Sequence, residues 1–311
     1  MNQYLNTFFS VLLILLFVNN CVGQSDDNLR SGTIYAWGED SHGQVSDLPE
    51  GSDFIDVKAG NRHSLALRSD GTLAAWGHDE DNQVSGLPDG NDFIVIAAGS
   101  NHSLALRKDG TIAYWGWEYG ISDRPGMVSG STPRGNGFIA ISAAGTHSLA
   151  LRENGTIHAW GWNLNQQISG TPTESGFIAI SAGSNHNLAL KEDGTVVAWG
   201  SDVLGSVADT PEESGFTNIS AGARHSLALR EDGTIKAWGW DLRSEVSSAP
   251  KEDGFLDISV GYTHSLALRD DGTIAAWGWE ARNVGQIEGV PEEPGFFKID
   301  AGHYHNLAIK K

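Results

Sequence analysis

The side chains with the greatest capacity for chemistry in this chain are eleven histidines and eleven tryptophans. Seven of the histidines each begin a recurring hexapeptide of the type HSLALR, at His63, His102, His147, His186, His225, His264 and His305. A metal site needs several ligands converging within about 2 Å of one ion. One histidine at the same position of each unit indicates instead a structural hydrogen bond made repeatedly, so we expect no metal and no cofactor. The remaining histidines show no ligand spacing: His42, His78, His158 and His303.

The sequence contains no pattern typical of an enzyme active site. Aspartate before glycine, as at Asp70 and Asp232, is explained by turn formation. The serine that follows most of the repeat histidines has no separate base beside it, and no glycine-rich phosphate-binding loop is present. A catalytic site needs a group that departs from the repeat, so we predict a protein that is not an enzyme.

The tryptophans form two sets. Seven end a strand as Trp-Gly, where core packing explains them, at Trp37, Trp76, Trp115, Trp160, Trp199, Trp238 and Trp277. The other four each follow a core tryptophan by two residues, at Trp117, Trp162, Trp240 and Trp279. At that point the strand has left the sheet. Exposed aromatic residues clustered on one surface are typical of binding interfaces, and the alternative is a packed rim over the strand ends.

A repeated β-hairpin positions both sets of residues. In residues 225–238, HSLALREDGTIKAW, two runs that alternate with a period of two flank the turn Glu231-Asp232-Gly233. Such alternation on both sides of Asp-Gly is a strong hairpin signal, and glycine adopts positive φ at little cost. Another strand, beginning with Phe, precedes each hairpin, so each unit has three antiparallel strands, and the return segment can supply a fourth.

The spacing of the hairpins predicts the fold. The steps from Trp37 to Trp76 and to Trp115 are 39 residues each, the next is 45, and each later step is 39. A fixed period near 40 in an all-β chain indicates a β-propeller. Residues 31–38 form a second hairpin strand without a first, and residues 305–310 a first strand without a second. We therefore predict an all-β, seven-bladed propeller with three- to four-stranded blades, closed by the N-terminal strand.

Strand direction predicts which residues share a surface. If the Phe strand runs up, the His strand runs down and the Trp strand runs up again. The Ala-Gly loops and the segments after Trp-Gly then lie on one face, termed the loop face, and the Asp-Gly turns lie on the opposite turn face. Residues 116–137, the longest insertion, also fall on the loop face, and insertions in repeat proteins often mark binding loops. The predicted partner-binding residues are Trp117, Tyr119, Trp162, Trp240, Trp279, Tyr262, Tyr304, Arg62 and Arg224.

Residues 1–23 differ from the rest of the chain. Residues 8–18 are apolar apart from Ser10 and are too short to span a bilayer. Cys21 and Gly23 are small residues at positions −3 and −1 of a cleavage site before Gln24. This pattern predicts a signal peptide at 1–23, a flexible arm at 24–30 and the propeller at 31–311, in a secreted or periplasmic protein. An alternative is lipid attachment at Cys21.

The net charge of the chain limits the classes of molecule that it is expected to bind. The formal net charge is −19, and no charged residue lies in residues 1–23. A chain this acidic is not expected to bind nucleic acid non-specifically. The lone cysteine excludes an intramolecular disulfide framework. We expect a monomer that binds a protein partner and has no stable membrane span.

The unit AG-x-x-HSLALR-x-DG-T-x-x-AWG resembles the repeat of the regulator of chromosome condensation family over residues 31–311. The Gly-Gln pair that follows the Trp strand in that family is present at Gly43-Gln44 and Gly285-Gln286. It occurs in altered form at Asn82-Gln83 and Gln166-Gln167. The resemblance implies the fold, but no single function. The short period and the predicted export are similar to those of β-lactamase inhibitor protein II, which implies inhibition of a β-lactamase or penicillin-binding protein.

Two functions remain as hypotheses. The first is a secreted, non-enzymatic protein-binding module whose partner lies on the loop face. The alternative is a carbohydrate- or cell-surface-binding, lectin-like propeller in which each aromatic ring stacks on a sugar. Repeated identical sites favour sugar, whereas aromatic residues at four of seven positions with differing neighbours favour one asymmetric protein partner.

Overall fold

Seven antiparallel sheets follow one another around a ring. The computed structural model describes residues 30–117, 127–128, 132–279 and 284–311. Its strands, in chain order, are β1 (Thr33–Gly38), β2 (Phe54–Ala59), β3 (His63–Arg68), β4 (Leu73–Gly77), β5 (Phe93–Ala98), β6 (His102–Arg107), β7 (Ile112–Gly116), β8 (Met127–Val128), β9 (Phe138–Ala144), β10 (His147–Arg152), β11 (Ile157–Trp162), β12 (Phe177–Ala182), β13 (His186–Lys191), β14 (Val196–Gly200), β15 (Phe216–Ala221), β16 (His225–Arg230), β17 (Ile235–Gly239), β18 (Phe255–Val260), β19 (His264–Arg269), β20 (Ile274–Gly278), β21 (Phe296–Ala301) and β22 (His305–Lys310).

The sheets correspond to the predicted blades. Blade 1 is β2-β3-β4, blade 2 is β5-β6-β7, blade 3 is β9-β10-β11 with β8 added, blade 4 is β12-β13-β14, blade 5 is β15-β16-β17, blade 6 is β18-β19-β20, and blade 7 is β21-β22-β1. The fourth strand occurs in blade 3 alone among the described residues, where β8 pairs with Gly161 and Trp162 of β11. The described return segments of the other blades form turns rather than a fourth strand.

The predicted closure of the ring is confirmed. β1 pairs antiparallel with β22, from Thr33 opposite Lys310 to Gly38 opposite His305. The bridge between Gly32 and Phe54 then joins this blade to blade 1. One blade is thus built from both ends of the propeller sequence, and β1 covers the edge that β22 would otherwise leave unpaired.

The Asp-Gly turns are held by their own side chains. In blade 5, the Oδ1 atom of Asp232 accepts hydrogen bonds from the backbone N–H and the hydroxyl of Thr234, at 2.9 and 2.7 Å. Gly233 has a φ of +81°, and a Cβ there would lie 2.6 Å from the nitrogen of Gly254. Glycine is therefore required both by the turn and by the approach of the next blade's first residue.

The order of strands within a blade is set by burial. The Phe strands are innermost and line a central cavity of about 940 Å³, and the Trp strands are outermost except in blade 3, where β8 lies outside β11. The His strand lies between them and is buried on both sides, with only its last residue partly exposed in each blade. A strand in that position must be apolar or hydrogen-bonded throughout, which explains the near-invariant HSLALR.

Neighbouring blades pack through large residues on one side of the His strand and small residues on the other. Leu65 and Leu67 of blade 1 pack on Phe93 and Trp115 of blade 2, whereas Ala66 of the same strand faces blade 7. Seven such clusters occupy the seven interfaces between blades. Each fully buried large side chain contributes about 1.5–3 kcal/mol, so these clusters supply most of the stability.

The repeat histidines form a closed ring of hydrogen bonds between blades, which confirms their predicted structural role. Each Nε2 atom bonds the residue after the histidine of the next blade, and the last returns to the first. The pairs are His63–Ser103, His102–Ser148, His147–Asn187, His186–Ser226, His225–Ser265, His264–Asn306 and His305–Ser64, at 2.6–2.9 Å.

The bonds from histidine to asparagine show which atom donates the proton. The Nδ2 atom of Asn187 donates to the carbonyl of Gln167 at 3.0 Å, so its Oδ1 accepts from Nε2 of His147 at 2.6 Å. His147 therefore carries a proton on Nε2, and the same pair of bonds through Asn306 gives the same result for His264. The glycine of the Ala-Gly loop makes room for the ring, because a Cβ on Gly60 would lie 2.5 Å from Cε1 of His63.

The Gly-Gln position is a second link between blades. The carbonyl of Gln44 accepts a hydrogen bond from Nε1 of Trp76, at 2.9 Å, and from the hydroxyl of Ser64, at 3.4 Å. The core tryptophan and the serine that accepts the histidine bond thus meet on one carbonyl of the preceding return segment. The same bond to a tryptophan is made by the carbonyls of Gln83, Gln167, Ser206, Glu245 and Gln286.

The interface that closes the ring is also linked by charge. At four other interfaces an inner-strand serine accepts a backbone N–H of the next blade, at 2.9–3.0 Å. Between blades 7 and 1, Asp300 takes that role toward Ala59 and also pairs with Lys58, at 3.1 Å. Lys298 of blade 7 pairs with Asp56 of blade 1, at 3.3 Å. These pairs are partly exposed in the cavity, so each adds less than about 1 kcal/mol.

The histidine ring predicts steep acid unfolding. Burial lowers the pKa to about 3 for His63, His225 and His305, and to about 4 for His102, His147 and His186. The unfolded chain takes up protons below its ordinary pKa of about 6.5, while the folded ring stays neutral until pH 3–4. Each histidine therefore removes about 1.4 kcal/mol of stability per pH unit across that window.

The measurement is tryptophan fluorescence and thermal melting between pH 8 and pH 3. We expect constant stability above about pH 6.5 and cooperative unfolding as the pH falls from there toward 4. His42→Gln, which replaces a histidine outside the ring, serves as the control and should not move the acid midpoint. An unchanged melting temperature from pH 7 to pH 4 would contradict the ring's neutral state.

Candidate functional site

The loop face is assembled by one backbone hydrogen bond in each blade. The residue two positions after the core tryptophan donates its N–H to the carbonyl of the residue before the repeat histidine. Trp240 donates to Arg224 at 3.0 Å, and Trp279 donates to Thr263 at 2.8 Å. The predicted placement of these two residue positions on one face is therefore correct. Their role in binding stays a prediction.

The four extra tryptophans are spread around this face. Trp117, on blade 2, is 40 % exposed, whereas Trp162, Trp240 and Trp279, on blades 3, 5 and 6, are half-buried. They occupy four separate blades, so they form an arc rather than one cluster. Tyr119, the other aromatic residue predicted from the long insertion, lies outside the described residues.

Arginines lie over two of these tryptophans. The guanidinium carbon of Arg224 is 4.8 Å from the ring centroid of Trp240, within the same blade. That of Arg243 is 3.5 Å from the ring of Trp279, on the next blade. Such cation–π contacts hold the cation and the ring in a fixed arrangement. Arg224 was predicted from the sequence and Arg243 was not, because it lies within the turn after the Trp strand.

The two predicted tyrosines meet at the loops of blades 6 and 7. Tyr262 and Tyr304 lie 5.8 Å apart, and His303 packs against both, with ring distances of 3.9 and 4.3 Å. His303 also hydrogen-bonds Asn61 of blade 1. Sequence reasoning did not assign His303 to this site, since the same position holds small or amide residues in five of the other blades, and Tyr262 in blade 6. The tyrosines are thus held on one side of the mouth of the central cavity.

Exposed aliphatic residues complete the arc, and the sequence analysis missed them. Leu164 is 61 % exposed, Val203 37 %, Leu204 57 % and Leu242 72 %. Leu164, Val203 and Leu242 each stand four positions after a core tryptophan, in three consecutive blades. Alignment of the repeats would have revealed them, because the same position holds Ser41 and Glu80 elsewhere.

The opposite sector of the loop face, on blades 7 and 1, is polar. It carries Glu39, Asp40, Asp79, Glu80 and Asp81, and the rings of His42 and His78 lie 4.6 Å apart. Arg62 belongs to this sector, so the structure does not bring it together with Arg224 on blade 5. Among the described residues, the loop face is therefore asymmetric: exposed apolar side chains lie on blades 2–5, and acidic side chains gather on blades 7 and 1.

The side chains that could hold a metal ion are mostly part of the fold. The repeat histidines, the most abundant potential ligands, use Nε2 within the ring. Within the part of the chain that the structure describes, no three His, Cys, Asp or Glu side chains converge to hold a metal ion. The same residues contain no helix that is long and apolar enough to cross a membrane.

Comparison with known families identifies the repeat. A model described as the regulator of chromosome condensation (RCC1) repeat matches residues 54–83, 138–167, 177–205, 216–243 and 255–286. Each match includes a Phe strand, a His strand and a Trp strand. Five of the seven blades of this chain therefore carry RCC1 repeats. The sequence of this RCC1 repeat protein matches no curated protein.

Solved structures share the fold at low sequence identity. Human WBSCR16 is 16 % identical with a TM-score of 0.72, over 89 % of this chain and 98 % of that one. Prp20p from Saccharomyces cerevisiae is 18 % identical with a TM-score of 0.71, over 94 % and 96 %. The CRINKLY WD40 ectodomain of the Arabidopsis thaliana receptor kinase ACR4 is 21 % identical with a TM-score of 0.66, over 83 % and 92 %. These likenesses establish the fold alone.

The two sets of tryptophans should respond differently to truncation. Trp199→Ala removes a buried side chain and the hydrogen bond to Gln167, so it should cost about 3–5 kcal/mol of the free energy of unfolding. Trp240→Ala removes a half-buried ring that contacts Arg224, so it should cost less than about 1.5 kcal/mol. Urea unfolding followed by circular dichroism measures both. Equal losses would place Trp240 in a packed rim of the blade ends.

Proposed function

We propose that this protein is a non-enzymatic, protein-binding propeller whose partner docks on blades 2–6 of the loop face. The observation that carries the proposal is the series of exposed apolar residues on successive blades of that sector. Trp117, Leu164, Leu204 and Leu242 follow one another on blades 2, 3, 4 and 5. Exposed large apolar residues gathered on one surface are typical of interaction sites.

A protein partner fits this surface better than a sugar does. Sugar stacking needs a free ring face, and arginines cover one face of Trp240 and of Trp279. The residue four positions after the core tryptophan also differs from blade to blade, so the face offers no set of equivalent sites. The yeast relative Prp20p is described as binding Gsp1p and histones, which shows that a propeller of this fold can serve as a protein-binding scaffold.

The partner gains its energy from covering aliphatic side chains. Complete burial of a leucine is worth about 1.5–3 kcal/mol, so three leucines and a tryptophan can supply most of a micromolar affinity. The core and the histidine ring keep these residues in place before binding. Little conformational entropy is then lost when the partner docks.

Affinity capture tests the proposed function. The full chain, immobilised, is exposed to an extract of its native host, and bound proteins are identified by mass spectrometry. Leu204→Asp with Leu242→Asp should reduce capture of the partner at least about tenfold, since each leaves a charge in an apolar contact. Leu256→Asp is the matched control, because Leu256 is a leucine of similar exposure on an inner strand, away from the loop face. Equal capture by all variants would exclude the loop face as the site.

The resemblance to β-lactamase inhibitor protein II offers a hypothesis about the class of the partner. We propose a β-lactamase or penicillin-binding protein as the candidate class, supported by the short repeat period and the predicted export. The same capture experiment decides the class. If only proteins of other classes are captured, this choice of partner class is wrong, whereas the proposed binding face still stands.

Export is proposed from the apolar leader alone. Residues 1–23 have the pattern of a signal peptide cleaved before Gln24, with Cys21 as the alternative site of lipid attachment. Intact-mass analysis of the protein from its native host should show a chain that begins at Gln24. A mass that includes Met1 would contradict cleavage, and a mass increased by acyl groups on Cys21 would establish the lipid-anchored alternative.

A further inference from the structure

The cations that stack on aromatic rings differ between the turn face and the loop face in whether a carboxylate pairs with them. On the turn face, six of the seven strand-ending cations form salt bridges with carboxylates, namely Arg68, Arg107, Lys191, Arg230, Arg269 and Lys310. On the loop face, Arg224 and Arg243 form no salt bridge with any described residue, although both are exposed. In a chain with a net charge of −19, most cations stacked on rings of the turn face are thus paired with an acid, whereas, among the described residues, the two arginines stacked on tryptophans of the loop face are not.

The two acidic residues nearest in sequence to Arg243 are already engaged. The Oδ1 atom of Asp241 accepts the backbone N–H groups of Val246 and Ser247, at 2.9 and 2.8 Å. Glu245 is buried and accepts the backbone N–H of Arg243, at 2.8 Å. Both carboxylates stabilise the turn, which leaves the guanidinium group of Arg243 available to an outside anion.

Stacking orients each guanidinium for recognition. A guanidinium laid over an aromatic ring keeps the N–H donors at its edge free, in a fork that matches the two oxygens of a carboxylate. Arg224 on Trp240 and Arg243 on Trp279 are held in this way on neighbouring blades 5 and 6. Leu242, 72 % exposed, lies next to Arg243 in sequence, and Leu204, 57 % exposed, is on blade 4.

We propose that the partner presents a segment that combines aspartate or glutamate with large apolar side chains. Its carboxylates bind Arg224 and Arg243, and its apolar residues cover Leu204 and Leu242. The acidic sector on blades 7 and 1 repels the carboxylates, so it fixes the direction in which the segment lies across the face. The inference rests on the proposed protein-binding function and adds the chemistry of the partner.

Selection from a random dodecapeptide display library, with the full chain as bait, tests this chemistry. Selected peptides should be enriched in Asp and Glu beside Leu, Phe or Trp. Their affinity, measured by fluorescence polarisation of a labelled synthetic peptide, should fall at least about tenfold for Arg224→Glu with Arg243→Glu. Arg224→Lys with Arg243→Lys should lose less, because charge is kept and the fork is lost. Increasing salt should weaken binding to the wild-type chain.

The control keeps the change in charge and moves it to the turn face. Lys108→Glu with Lys251→Glu alters two exposed lysines and should leave the affinity unchanged. Thermal melting confirms that each variant is folded. If a glutamate variant does not fold, Arg224→Gln with Arg243→Gln replaces it.

The possible outcomes separate the inference from the proposed function. Peptides that lack acidic residues but lose affinity with Leu204→Asp and Leu242→Asp would overturn the inference and retain the binding face. Peptides insensitive to every loop-face variant would overturn both. A selection that enriches no acidic peptide would also overturn the inference.

Discussion

Seven hydrogen bonds between blades are the constraint on which the rest of this structure depends. Each repeat histidine reaches the residue after the histidine of the next blade, so every bond fixes the rotation between two neighbouring blades. The rotations must sum to a full turn, because His305 bonds Ser64 and closes the series. The neutral, buried imidazole is compatible with the leucine and tryptophan clusters around it. A charged one would bring an uncompensated cation into the same interface.

The closed ring determines where the chain can vary. The positions that carry the ring, the core tryptophans and the Asp-Gly turns are occupied in almost every blade, since a change there is felt by two blades at once. The segments after the Trp strands make fewer contacts between blades. The exception is a buried residue whose carbonyl accepts the hydrogen bond from Nε1 of a core tryptophan. Their remaining residues differ between blades, which produces an acidic sector beside an apolar one. Function in a repeat protein is expected where the repeat is broken.

The pairing of charged side chains also differs between the structural turn face and the variable loop face. On the turn face, the strand-ending cation stacks on the phenylalanine that begins the blade, for example Arg68 on Phe54 at 4.3 Å, and most of these cations also pair with an acid. On the loop face, the stacked arginines lack that acid among the described residues. The first arrangement is complete within the chain, whereas the second leaves its hydrogen-bond donors available to another molecule.

The sequence alone determined the repeat and the closure of the ring, since period-two hairpins every 39 residues and two complementary half-hairpins allow few other arrangements. It also placed Trp240 and Tyr262 on one face, because strand direction alternates within a blade. It did not reveal that the Phe strand lines the cavity, that Arg243 covers Trp279, or that Arg62 is remote from Arg224. Those features depend on how blades rotate about a common axis and how turns fold back between them. Contacts of this kind join residues of different blades and leave no periodic signal within one repeat.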